Sequence, residues 1–360
     1  MPTSSPDVLF VAAPERGRAT LARWRGQRPL FCCVLAHTDT CLIPGLSAAG
    51  VSEALRPLTP AADAEVVQLG VPKCLPRLPS NPLGAPGPAG ITRAALGLAG
   101  VQARFVGVGL RHWPATECVR LHPQPGASIE GGCAVPAAPE LFEAGCRLGQ
   151  ELGAQAPYLV LGESVPGGTT TALALLLALG FDAEGRVSGS QPGNAHLLKS
   201  KVARAALAAA RLAPGDGRAD PIGAVAAVGD PMQPVVAGLA AGAARRGCDV
   251  LLAGGSQMLA VAALLAALEG SAALERVTIG TTRWVVAANL DFSASRHPAL
   301  HAYERGLVKE GVGAGGACVA ALLATGATLG KLQAAIDAAY DLLIEPVPSV
   351  SFRTLDAPGP

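Results

Sequence analysis

Short, mainly apolar runs punctuate this chain: LFCCVLA (30–36), VQARFVGV (101–108), YLVL (158–161), CDVLLA (248–253) and WVVAAN (284–289). Runs of this length without polar alternation, bounded by turn residues, suit strands covered on both faces. Between them lie longer Ala- and Leu-rich stretches that predict helices near 58–65, 91–98, 141–152, 169–179, 196–204, 231–246, 258–268 and 317–324. Some carry start signals, such as Thr59-Pro60 with acids Asp63 and Glu65, or Asp230-Pro231 with Gly247 past the end. Strands alternating with helices predict a doubly wound α/β fold on a mainly parallel sheet, with helices on both faces. In such sheets ligands bind at the carboxyl ends of the strands.

Those ends are where the polar residues gather. The run at 158–161 leads into Glu163, Pro166, Gly167 and Gly168, then Thr169, Thr170 and Thr171 at the start of an apolar helix. Adjacent glycines allow close backbone approach, the threonines can cap the helix, and its free N–H groups and dipole favour an anion such as phosphate. The spacing is neither GxxxxGK[ST] nor GxGxxG, and a plain glycine-rich turn feeding a buried helix fits the pattern equally. Glu163 has little structural reason to sit there, and could face ribose hydroxyls or a developing cation. After 30–36 come His37, Thr38, Asp39 and Thr40, either lining a ligand or satisfying turn backbone. Gly254, Gly255 and Ser256 form another tight turn into a helix, and Asp291 follows the run at 284–289. Lys309 and Glu310 precede Gly311, Gly313, Gly315 and Gly316 and a further apolar helix, a carboxylate-then-glycine pattern like the first. Lys201, on a helix with Lys199 and Arg204, is a candidate phosphate partner against the commoner solvated face. Arg93, near a helix start, is misplaced unless it meets an anion or an acid. Residues 71–90, dense in proline and glycine yet apolar, predict an ordered, rigid loop.

With 360 residues the chain can bury a large core. Half the residues are hydrophobic, 15% are charged and the formal net charge is +1, which gives no footprint for nucleic acid or a membrane surface. The N-terminus lacks the basic region of a signal peptide. The nine cysteines have no CxxC pair and fit reduced thiols of a cytoplasmic protein, and the six histidines are too dispersed to support a metal site.

Taken together, HTDTCLIPGLSAAG (37–50), LTPAADAE (58–65), GAPGPAGITRAAL (84–96), GESVPGGTTTA (162–172), ARRGCDVLLAGG (244–255) and RGLVKEGVGAGGACVA (305–320) resemble, in order, the motifs of the nicotinate-nucleotide–dimethylbenzimidazole phosphoribosyltransferase superfamily. The match is nearer to its archaeal and cyanobacterial branch. The resemblance runs from about His37 to Ala324. It implies a Rossmann-like core over about 29–330, and a smaller lobe to which segments 1–28 and 331–360 contribute within one 360-residue unit. It also implies a homodimer and a pentosyltransferase activity: phosphoribose moves from nicotinate mononucleotide to an azole or purine lower-ligand base, in cobalamin biosynthesis, with no metal or other cofactor. The family's catalytic glutamate falls on Glu310, and its second conserved glutamate on Glu163.

The residue chemistry fits. A ring N–H nucleophile loses its proton as it attacks the anomeric carbon, so one placed carboxylate, Glu310, suffices as general base. Phosphate would rest on Gly167, Gly168, Thr169, Thr170 and Thr171, with Gly254, Ser256, Asp291, Thr38 and Asp39 around the crevice. The chain departs from the family's pattern at three points: Gly168 stands for an asparagine, Pro166 for a small residue and Ala253 for an aspartate. The competing reading is a nucleotide-binding regulator without turnover. A dinucleotide-dependent oxidoreductase ranks last, since its glycine pattern is missing.

Overall fold

A computed structural model describes residues 8, 10, 12–50, 52–76, 86–187, 195–282 and 310–344. Six parallel strands form one sheet: β1 (Leu30–Ala36), β2 (Ala103–Val108), β3 (Val119–His122), β4 (Tyr158–Ser164), β5 (Asp249–Ala253) and β6 (Val277–Gly280). Their order is β3-β2-β1-β4-β5-β6, the doubly wound arrangement, so the winding reverses between β1 and β4. Leu30 pairs with Leu159 and Leu35 with Ser164 across that seam.

Successive side chains of a strand point to opposite faces, and each face here has its own core. Cys32, Val34, Leu159, Leu161, Val250 and Leu252 join one, packed by α4 (Ala138–Gly153), α5 (Gly168–Ala178), α6 (His196–Ala209), α7 (Pro221–Val228), α8 (Met232–Arg245) and α9 (Ser256–Glu269). Phe31, Cys33, Leu35, Tyr158, Val160 and Leu251 join the other, packed by α1 (Pro14–Trp24), α2 (Thr59–Leu69), α3 (Ala89–Ala99), α10 (Ala314–Thr325) and α11 (Leu329–Ile344). Continuous rather than alternating hydrophobicity in β1, β4 and β5 follows from this double cover.

Backbone meets backbone where α4 crosses α8. A Cβ on Gly149 would lie 2.2 Å from Leu239 O, and one on Gly242 would lie 2.1 Å from Cys146 O. Facing glycines thus set the helix spacing. On the other face, Trp24 stacks on Tyr158 with centroids 4.3 Å apart and planes 3° from parallel. The Trp24 indole donates to Asp249 at 3.1 Å.

The structure differs from the sequence expectations in three places. β4 runs three residues further than the apolar signal, because the polar Glu163 and Ser164 still pair with Val34 and Leu35 of β1. Two strands, β3 and β6, carry no apolar run: each is a four-residue outer strand, VRLH and VTIG. The predicted strand at 284–289 lies outside the described residues, as do parts of the loop at 71–90.

Candidate active site

At the reversal between β1 and β4, four acids from four segments come together. Glu163 leaves the end of β4 with its side chain buried and one oxygen accepting from Val165 N at 3.1 Å. The segment carrying Glu310 is tied to it: Val312 N donates to the carbonyl of Glu163 at 2.8 Å, and Thr92 Oγ1 of α3 donates to Val312 O at 2.9 Å. Gly162 and Gly313 make this approach possible, since a Cβ on Gly313, whose φ is +69°, would lie 3.1 Å from Gly162 Cα.

Among the described residues Glu310 is clasped by four donors. Its Oε2 accepts from Thr281 Oγ1 (3.2 Å) and Thr282 N (2.9 Å), and its Oε1 from Gly311 N (3.2 Å) and Gly315 N (3.1 Å). Burial outweighs these bonds and pushes its pKa up to about 7. Glu163 rises further, to about 8, first through burial and then through the charges of Asp230, Glu310 and Asp63. Glu163 is therefore mostly protonated at pH 7, beside a second carboxyl whose pKa lies near neutrality.

Asp63 and Asp230 flank the pair on opposite faces of the sheet. Asp63, on α2, accepts from Ser164 Oγ at 2.7 Å, while its Oδ1 is buried without a partner among the described residues; burial raises it to about 7. Asp230 lies 2.5 Å from Thr171 Oγ1 and accepts from Met232 N at 3.0 Å, and burial raises it to about 6. Sequence reasoning took both acids for helix-start devices. Asp230 does cap α8 through Met232, but its other oxygen faces the site. The available signal for Asp63 was that it and Glu65 interrupt a helix that is otherwise apolar from Pro60 to Val67, every residue of which is buried.

The glycine–threonine turn is built as expected, with a different cap. Gly167 precedes α5 with φ +83°, and a Cβ there would lie 2.9 Å from the backbone of Cys41. The turns after β1 and β4 are thus in contact. None of the threonines caps α5: Thr171 Oγ1 meets Gly168 O and Asp230, Thr170 Oγ1 is buried with no partner among the described residues, and Thr169 is half-buried. Gly254 N donates to Gly280 O at 2.9 Å, and Ser256 is buried at the start of α9, which opens beside α5.

After β1, Thr38 Oγ1 bonds Thr40 Oγ1 and Ala127 O, and Thr40 Oγ1 accepts from Ile129 N, so both threonines brace backbone. Asp39 instead faces Arg111 and His37: its Oδ1 lies 2.6 Å from Arg111 Nη2 and 3.1 Å from His37 Nε2. Arg111, which follows β2, also donates to His37 Nε2 at 3.0 Å. Burial lowers the pKa of His37. Lys201 is exposed on α6, whereas Lys199 is buried. Arg93 finds its partner in a helix end, donating to Val67 O of α2 at 2.9 Å. Asp291 lies outside the described residues.

No protein-family model matches the chain. It is 45% identical over 373 residues to a UPF0284 protein of Gloeobacter violaceus, covering 95% of this chain and 96% of that protein. A UPF0284 protein of Methanothermobacter thermautotrophicus is 41% identical, over 82% of this chain and 88% of its own length. Among solved structures, nicotinate-nucleotide-dimethylbenzimidazole phosphoribosyltransferase from Thermus thermophilus superposes with a TM-score of 0.57 at 20% identity, over 92% of each chain. A structure of CobT from the same organism gives 0.60 at 19% identity, over 93% of each. These two likenesses show a shared fold.

Proposed function

This chain belongs to the UPF0284 family, and we propose that it is a phosphoribosyltransferase, a pentosyltransferase moving phosphoribose from nicotinate mononucleotide to an azole or purine base. The observation that carries the reading is the pairing of Glu163 and Glu310, two buried acids lifted into the neutral range at the sheet's switch point, beside a glycine turn that opens a helix. Perturbed acids in such a crevice mark proton chemistry. One of the solved structures that share the fold is named as a nicotinate-nucleotide-dimethylbenzimidazole phosphoribosyltransferase.

The steps balance without a further reactant. The acceptor nitrogen attacks the anomeric carbon, and the bond to the nicotinate nitrogen breaks with its electron pair, turning a cationic ring neutral. Glu310 takes the acceptor's N–H proton, with a pKa matched to neutral conditions. Of its four donors among the described residues, only the Thr281 hydroxyl can rotate away and free a lone pair. Glu163, protonated, donates to a ribose oxygen. The phosphate sits on Gly167–Thr171 at the positive end of α5, with Gly254 and Ser256 along the crevice and Asp39 with Arg111 at its rim. The protein works on small molecules as a cytoplasmic homodimer, in assembly of a cobamide nucleotide loop.

The saturation of Glu310 favours a second reading: its carboxylate clasps a loop, and the protein binds a nucleotide as a regulator without turnover. Incubation with nicotinate mononucleotide and a panel of azoles and purines separates the two. Nicotinate release that depends on an acceptor supports the transferase. Nucleotide binding with no release under any acceptor supports the regulator.

A further inference from the structure

The amide of Gln257 makes no hydrogen bond among the described residues, and its Oε1 is buried. Gln257 is the second residue of α9, and it reaches across to the first residue of α5. A Cβ placed on Gly168 would lie 1.9 Å from Gln257 Oε1 and 2.5 Å from its Cδ. The glutamine thus fills the space that any side chain at 168 would need. Helices α5 and α9 follow the neighbouring parallel strands β4 and β5, so their N-termini open side by side on the same sheet edge. Thr170 Oγ1, in the first turn of α5, is also buried without a partner, in a residue that is 1% exposed. Buried polar groups are almost always hydrogen-bonded, and two left unpaired in the first turns of these two helices point to a ligand contact there.

We propose that Gln257 is a substrate-binding residue whose amide, with the Thr170 hydroxyl, holds the phosphoribosyl group of the donor nucleotide at the start of α5. This rests on the reading of the donor as a nucleotide given above. An amide suits the task, since its NH2 donates to a phosphate oxygen while its carbonyl accepts from a ribose hydroxyl. In the family that the chain resembles, an asparagine stands at the position of Gly168. This chain supplies the amide from α9 instead, and the glycine at 168 is what lets it in.

The test is an exchange. Wild type, Gln257→Ala, the similar-sized Gln257→Met, Gly168→Asn and the double variant Gly168→Asn/Gln257→Ala are titrated calorimetrically with nicotinate mononucleotide and with inorganic phosphate, after circular dichroism confirms folding. Loss of a hydrogen bond to a charged group weakens nucleotide binding about tenfold or more in both Gln257 variants. Gly168→Asn alone also weakens it, because two amides compete for one space, and the double variant recovers most of the wild-type affinity. Gln257 variants that bind as wild type, or a double variant no better than Gln257→Ala, overturn the assignment while leaving the nucleotide reading standing. Wild type that binds neither nucleotide nor phosphate removes the nucleotide reading and this assignment with it.

Discussion

Replacing Glu163 with glutamine stabilises the protein at alkaline pH and has little effect at acid pH. Glu163 is 3% exposed, and its pKa rises from 4.5 to about 8, with burial the largest cause and Asp230, Glu310 and Asp63 adding to it. The folded state therefore holds a proton that the unfolded chain has released. Below about pH 4.5 both states are protonated and Glu163 costs nothing; stability is lost as pH rises through this window and the loss is complete above about 8. At about 1.36 kcal/mol per pH unit between the two values, the full loss is about 5 kcal/mol. That is an upper bound, because the neighbouring acids take up part of the proton exchange. Glutamine keeps the shape and the acceptor for Val165 N–H but does not titrate. Urea denaturation of wild type and Glu163→Gln at pH 5, 6, 7, 8 and 9 reads the difference directly. It is expected to widen steadily from pH 5 to 8 and then level off. A difference that stays constant over that range refutes the argument that burial holds Glu163 protonated.

Two glycines in helices give opposite outcomes. Gly149→Ala drives a Cβ into Leu239 O and costs about 1–3 kcal/mol as overpacking, whereas Gly97→Ala in α3 meets nothing within 4 Å and gains about 0.5–1 kcal/mol from helix propensity. Thermal denaturation ranks the two against wild type. Thr171→Val removes the hydroxyl 2.5 Å from Asp230 and costs about 1–3 kcal/mol. Because the folded pKa of Asp230 is about 6, that cost is larger at pH 8, where the carboxylate is charged, than at pH 5. Equal costs at the two values contradict it.

Much of the fold was legible because β1, β4 and β5 are covered on both faces and so read as unbroken apolar runs. The same logic hid β3 and β6, short outer strands with polar residues among their four. At the site, the glycine turns and the two glutamates stood out as sequence punctuation, since carboxylates and glycines collect where strands end. Asp63, Asp230, Arg111 and Gln257 did not. Each carries an ordinary local signal, as a helix-start acid, a loop cation or a helix residue, and only tertiary packing brings it to the crevice. The hint from Arg93 pointed to an anion or an acid, and the structure supplies the carbonyl end of α2 instead. The threonines after Gly168 read as caps. Gly167 holds the N-cap position in a left-handed conformation with no side-chain cap bond, while Thr171 meets Asp230 and Thr170 Oγ1 is buried with no partner among the described residues.

The most direct test of the account compares acceptor-dependent nicotinate release by wild type and Glu310→Gln across pH 5 to 9, with nucleotide affinity measured alongside. A general base with a pKa of about 7 gives a wild-type rate that rises with pH and levels off above about 7. The glutamine variant binds nicotinate mononucleotide normally but loses about 10²–10⁴-fold in turnover and the pH dependence with it. A variant that releases nicotinate at the wild-type rate with the same pH profile would take Glu310 out of the chemistry.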